Sequence, residues 1–204
     1  MNLKTENGIS YDIDPTPMTY DDKYYAKLES YIGNDTDIAI TEFRITLTTK
    51  YAKYEHVLDV GCGTCRFMTA MSPYAYVSGY DVMPETIKRL KDARNYIDPF
   101  EHIPKGVNCI TFWDSLEHIK YNKMLAMFAN IAKNTYILIS MPIYKDLTRI
   151  SESKHYRPDE HLLYATNDGL LTLMANNGFN HIETLDGEIL AGREDIYTYV
   201  FRKL

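Results

Sequence analysis

The sequence predicts an α/β fold, a largely parallel sheet covered by helices on both faces, and three observations predict it. From residue 57 onward, short apolar strands alternate with loops and amphipathic helices. A glycine loop, Gly61-Cys62-Gly63, separates the first of these strands from its helix. An acid, Asp81, closes the second strand, at the carboxyl edge where open α/β sheets carry ligands.

The bulk composition agrees with a single unit of this kind. A chain of 204 residues, 45% hydrophobic and 25% charged, fills a core without covalent staples. Its net charge is −6 and it has no dense Lys/Arg run, so no extended nucleic-acid surface is expected. Three cysteines, Cys62, Cys65 and Cys109, are too few for a disulfide framework and fit a reducing cytosol. The first seven residues lack the apolar core of a signal peptide. No stretch approaches the roughly 18 apolar residues of a membrane helix. The expectation is a soluble cytoplasmic protein without membrane contact.

Residues 1–18 carry Gly, Pro and polar residues with no clear period, and read as an irregular arm. Tyr24, Leu28 and Tyr31 then mark one helical face, stopped by Gly33. Ile40, Phe43, Leu47 and Tyr51 mark a second helix, with Asp35 or Thr36 as its cap. Val57 to Val60 is the first strand, 64–72 a helix, and Tyr76 to Tyr80 the second strand. Pro84 opens the next helix, with Ile87 and Leu90 facing inward. Val107 to Phe112 is a strand, Met124, Phe128 and Ile131 mark a helix, and 136–139 is a strand halted by Pro142. Asn167 to Asn177 is a helix closed by Gly178, and 180–184 and 196–202 are two final strands. Residues 1–56 are thus an N-terminal arm with helices that cover the ligand site, and 57–204 the ligand-binding domain, in one structural unit.

The loop carries the functional signal. Glycines there let a ligand approach the backbone, the helix start offers free N–H groups, and Asp81 is placed to accept from two ribose hydroxyls. Leu58-Asp59-Val60-Gly61-Cys62-Gly63-Thr64-Cys65 resembles the L-D-x-G-C-G-T-G motif of class I S-adenosylmethionine-dependent methyltransferases, within the broad small bacterial and phage family. The resemblance spans 57–140 and extends more loosely to the C-terminus. It implies a Rossmann-like, mostly parallel seven-stranded sheet whose last strand is antiparallel. It further implies that Asp59, Gly61, Cys62 and Gly63 line the methionine end of S-adenosylmethionine, that Asp81 binds ribose, and that Val82 and Met83 flank adenine. Trp113 and Asp114 belong to the same pocket, Trp113 beside the methyl group. Cys65 departs from the motif, standing where the family has a third glycine; it is small enough to pack at the helix start. A nicotinamide dinucleotide site needs G-x-G-x-x-G, and Arg66 occupies its third position. Cys62 and Cys65 also form a C-x-x-C. With no second pair to complete a zinc site, the preferred reading is two small loop residues rather than a redox or metal motif.

A second cluster follows the next strand. If 114–118 is a helical turn, Asp114, Glu117 and His118 share one face. The segment resembles the E-x-x-E-H metal motif of small-RNA 2′-O-methyltransferases and ubiquinone-pathway O-methyltransferases, with Asp114 for the first glutamate. That resemblance implies a Mg²⁺ or Mn²⁺ ion on Asp114, Glu117, His118 and a later histidine, His161. The long polar connection 150–166 supplies His155 and His161, which join His118 as candidate catalytic residues because imidazole titrates near neutrality. Arg44 is read as solvated in preference to pairing the cofactor carboxylate. The expected function is methyl transfer to a small-molecule, sugar or nucleoside hydroxyl. The alternative is a non-catalytic S-adenosylmethionine-binding regulator or partner protein. The oligomeric state is left open.

Overall fold

The computed structural model describes residues 2–16, 18–158 and 160–204. Strands β1 (Leu3–Glu6) and β2 (Ile9–Asp12) form a hairpin, so the irregular arm expected at the N-terminus is instead ordered sheet. Its two-residue turn is Asn7-Gly8, both at positive φ, a combination that matches the twist of paired strands. Helix α1 (Asp22–Glu29) is capped by Asp21, and α2 (Asp35–Ala52) by Asn34, one residue before the expected cap. Tyr31 lies beyond the end of α1 and is exposed.

The main sheet is built from β3 (His56–Val60), β4 (Tyr76–Tyr80), β5 (Val107–Trp113), β6 (Tyr136–Pro142), β8 (Phe179–Leu185) and β9 (Ile196–Lys203), in the order β4-β3-β5-β6-β9-β8. The first four are parallel, and β9 runs antiparallel between β6 and β8. The connecting helices are α3 (Arg66–Met71), α4 (Pro84–Asp92), α5 (Tyr121–Ala129), α6 (Asn167–Asn176) and the short α7 (Gly187–Leu190).

The sheet therefore has six strands, one fewer than expected. The missing strand survives as a single parallel bridge, Gly79 to Tyr96. Its chain runs straight into Pro99 and Pro104, which have no N–H to donate to a ladder.

Residues alternate across the sheet. Leu58, Ile110, Phe112 and Ile139 pack under α5 and α6 with Met124, Phe128 and Leu170. Val57, Cys109, Leu138 and Val200 meet Leu47 of α2 and Phe67 and Met71 of α3. Among the described residues, no helix is long and apolar enough to cross a membrane.

The long connection after β6 is not structureless. It holds a 3-10 segment (Leu147–Glu152) and then β7 (Leu163–Ala165), which pairs with β2 in a second, three-stranded sheet. This sheet packs on the N-terminal turn of α6, where Gly8 lies against Gly169.

That contact generates a test. Alanine normally stabilises a helix relative to glycine by about 1 kcal/mol. A Cβ on Gly169 would stand 2.1 Å from the Gly8 carbonyl oxygen. The sign should reverse: Gly169→Ala should destabilise the fold by about 1–3 kcal/mol, read as a lower urea midpoint.

Candidate active site

The glycine loop leaves β3 in a conformation that few residues adopt. Gly61 has φ +79°, and a Cβ there would lie 2.3 Å from the Ser115 Cβ, so only glycine lets the turn after β5 come this close. Ser115 Oγ donates to the Val60 carbonyl at 2.5 Å, tying the ends of β3 and β5 together. Below the loop, Asp59 is buried and accepts from Thr111 Oγ1 at 2.7 Å. Burial, reinforced by nearby Asp81, pushes its carboxyl up to about 7 against Thr111 and Arg44.

Asp81 receives the Gly63 N–H at 2.7 Å and the Met83 N–H at 2.9 Å. Burial raises its pKa, and these backbone donors partly offset the rise. Met83 is buried under the loop, whereas Val82 faces solvent. Thr86 Oγ1 donates to the Gly63 carbonyl at 2.7 Å, so α4 also grips the loop. Cys62 and Cys65 are both buried, and Cys65 sits in the left-handed region at φ +61°.

Beyond β5 the chain does not form the helical face expected for 114–118. Asp114 is left-handed, at φ +56°, and only Leu116–His118 make a 3-10 turn. Asp114 is also taken by cations. Arg193 donates to both of its oxygens, at 2.6 and 2.9 Å, and Arg44 Nη2 to one, at 2.9 Å. Glu188, with no exposed surface, completes the group by accepting from Arg44 Nε at 2.8 Å and Arg193 Nη1 at 2.5 Å. Burial alone would raise the Asp114 carboxyl, but the two arginines hold it well below the usual range. Arg44 is therefore a buried ion-pair member rather than a solvated side chain, and it also lies 5.0 Å over the Trp113 ring. Trp113 packs edge-on against Phe67, and its Nε1 is buried without a hydrogen-bond partner among the described residues.

Glu117, His118 and His161 converge, each offering a ligand atom within 4.8 Å of the others. Asp114 stands outside this group because both of its oxygens are engaged. Glu117 Oε2 is buried without a hydrogen-bond partner among the described residues, and burial, then nearby Asp114, raises its pKa well above the usual range. His118 Nδ1 lies 3.0 Å from the Glu160 carbonyl and 3.3 Å from the Tyr20 hydroxyl. With Nδ1–H donated to that carbonyl, the lone pair sits on Nε2. Burial lowers the His118 pKa and, with His118 beside it, takes His161 down to about 3, so His161 is neutral near pH 7. One carboxylate and two imidazoles form a mixed oxygen and nitrogen donor set suited to a first-row divalent cation.

His155 does not join them. Its Nε2 meets the Glu194 carbonyl at 2.9 Å, on the far side of the connection. Sequence reasoning missed Arg193, Glu188, Tyr20, Tyr24 and Glu160. Tyr24 donates to Glu160 Oε1 at 3.0 Å, and Arg157 pairs with Oε2 at 3.2 Å. Arg193, Glu188, Tyr20 and Tyr24 come from segments distant in sequence, whereas Glu160 adjoins His161 in the 150–166 connection.

The sequence model of a methyltransferase domain family matches residues 36–184. No curated protein sequence matches the chain. Solved structures do resemble it. A SAM-dependent methyltransferase from Archaeoglobus fulgidus has a TM-score of 0.66 at 16% identity, covering 89% of this chain and 100% of that one. The mitomycin 7-O-methyltransferase MmcR has a TM-score of 0.62 at 13% identity, with 90% of this chain spanning 58% of that one. The N-methyltransferase NodS from Bradyrhizobium japonicum, in complex with S-adenosylhomocysteine, has a TM-score of 0.58 at 15% identity, covering 88% and 97%. At these identities the likeness is one of fold.

Asp59 gives a prediction with a definite sign. Its pKa in the fold, about 7, lies above its ordinary 3.8. Between those values the folded chain holds a proton that the unfolded chain lacks, so this group's contribution to stability falls as pH rises through the window. Asparagine has no such proton to lose. Relative to the parent, Asp59→Asn should gain about 1–3 kcal/mol on going from pH 4 to pH 8. Urea denaturation at the two pH values measures the gain, and an equal offset at both would refute the assignment.

Proposed function

The chain belongs to the methyltransferase domain family and is an S-adenosylmethionine-dependent methyltransferase; from that premise we propose that it methylates a hydroxyl of a small-molecule acceptor, with a divalent cation held by Glu117, His118 and His161. The observation that carries this reading is the convergence of those three side chains around the orphaned Glu117 oxygen.

In the proposed complex, Asp59, Gly61, Cys62 and Gly63 receive the methionine end of the cofactor. Asp81 exchanges its backbone donors for the ribose hydroxyls, Met83 and Val82 border the adenine, and Trp113 borders the methyl group. Residues 1–56 cover the cleft. The reaction is an in-line displacement in which the acceptor oxygen forms a bond to the methyl carbon as the carbon–sulfur bond breaks. Glu117, His118 and His161 would hold a Mg²⁺ or Mn²⁺ ion, which would supply Lewis-acid lowering of the acceptor hydroxyl's pKa. Asp114, neutralised by Arg44 and Arg193, positions the turn instead of binding the cation. Without a cation, His118 carries its lone pair on Nε2 and becomes the general base for the hydroxyl proton. His155 is left out of the chemistry.

Two measurements follow. Isothermal titration should show S-adenosylhomocysteine binding at about micromolar Kd. Asp81→Ala should weaken that binding by about 2–3 kcal/mol; an unchanged affinity would remove Asp81 from the ribose site. Separately, Mn²⁺ titration followed by electron paramagnetic resonance should reveal one bound ion per chain in the parent and none in Glu117→Ala, while both proteins keep S-adenosylhomocysteine. Equal Mn²⁺ uptake by parent and variant, or none by the parent, would assign His118 to the general-base role alone.

A further inference from the structure

Two thiols sit inside the cofactor loop. Cys62 and Cys65 are the ends of a four-residue turn closed by Cys65 N–H donating to the Cys62 carbonyl at 2.8 Å. Their sulfurs are 4.0 Å apart. A turn of this kind holds its end Cα atoms within about 7 Å, inside the range a disulfide spans. Cys65 adopts φ +61° without a glycine's freedom, a backbone strain that the surrounding fold holds in place. The shared hydrogen bond depresses the Cys65 thiol while raising that of Cys62, and Arg89 adds to the depression at Cys65. Cys109, the remaining cysteine, is fully buried in the sheet.

We infer that Cys62 and Cys65 form a redox modification site, which hydroperoxides oxidise to a disulfide that closes the cofactor loop. The inference rests on the cofactor reading of the same loop. The Cys65 thiolate attacks a peroxide oxygen; the O–O bond breaks, giving a sulfenic acid and, from hydrogen peroxide, one water. The Cys62 thiol then displaces the sulfenic oxygen, an S–S bond forms, and a second water leaves. Two thiols lose two electrons and two protons, and the peroxide gains them.

The closure has a structural consequence. The sulfurs must move from 4.0 Å to about 2.05 Å apart. Of the two residues between them, Gly63 supplies the N–H bound by Asp81 and the carbonyl bound by Thr86. Cys62 also rests against β4, where a Cβ on Gly79 would be 3.0 Å from its sulfur. Pulling the turn ends together therefore shifts the backbone that faces the nucleoside. By linkage, bound cofactor should resist oxidation to the degree that oxidation weakens cofactor binding.

The test uses the whole protein and hydrogen peroxide. After treatment and alkylation, trypsin releases residues 54–66 as one peptide containing both cysteines, and 106–120 separately with Cys109. The first peptide should be lighter by two hydrogens and unalkylated, while Cys109 remains a thiol. S-adenosylhomocysteine affinity should fall by about tenfold or more and return on reduction, and the ligand added beforehand should slow the mass change. Cys65→Gly, which restores the residue best suited to the left-handed position, should bind with no response to peroxide. Alkylated thiols throughout, or sulfinic acid without a link, would overturn the site. A complete disulfide with unchanged affinity would overturn its effect on the cofactor. If the untreated chain binds no S-adenosylhomocysteine, the cofactor reading fails instead, and the peptide masses still decide whether the pair oxidises.

Discussion

Behind the end of β5, two arginines and two carboxylates meet as one neutral group that is partly buried around Glu188, and the site is arranged around it. A charge removed from water costs several kcal/mol unless it is paired and hydrogen-bonded. Glu188 has no exposed surface, and Asp114 has both oxygens occupied. Three segments must therefore meet. Arg44 brings α2, Arg193 and Glu188 bring the stretch between β8 and β9, and Asp114 brings the end of β5. Truncating either arginine would leave the two carboxylates sharing a single cation, with Glu188 fully buried. The same contacts hold Asp114 in a left-handed turn, which sends the chain directly into the 3-10 turn carrying Glu117 and His118.

The N-terminal hairpin acts from the opposite side. Asp12 N–H donates to the Leu162 carbonyl at 3.0 Å, and Leu162 N–H donates to the Glu117 carbonyl at 2.7 Å. His161 is the neighbouring residue, so the three-stranded sheet delivers it to Glu117 and His118. A segment without an evident role in chemistry thus completes the candidate metal site. Tyr20 and Tyr24 add contacts to His118 and Glu160 from the same N-terminal region.

Stability and the proposed function pull against each other in the glycine loop. Asp59 and Asp81 are both buried, and burial raises the pKa of each. Neither is a stabilising choice for an empty fold; both are sensible if an ammonium group and ribose hydroxyls arrive to meet them. The loss of a strand beyond β4 alters the neighbouring wall. Instead of a ladder, Tyr80, Tyr96 and Phe100 form an aromatic group there, and Asp98 lies close enough to help raise the Tyr80 hydroxyl to about 12.

The sequence by itself determined the order of the main-sheet strands and of the helices α1 to α6, because apolar periodicity and glycine or proline boundaries are local properties. It also determined the glycine loop, since Asp59, Gly61, Gly63 and Asp81 lie at fixed spacings within one strand-turn-helix-strand unit. The span from Asn95 to Val107 is short for a full strand and holds Pro99 and Pro104, which are local properties of the sequence as well. Tertiary structure decided everything that depended on distant pairing. The hairpin at 3–12 is stabilised by a partner strand at 163–165, which no window of local periodicity contains. Whether Arg44 was solvated or buried depended on Glu188 and Arg193, about 150 residues away in the chain. His155 and His161, equivalent in a polar loop, were separated because only His161 adjoins β7, while His155 turns to the Glu194 carbonyl. Chemistry that acts through close contact between remote residues leaves no spacing to read, and only the folded chain brings it together.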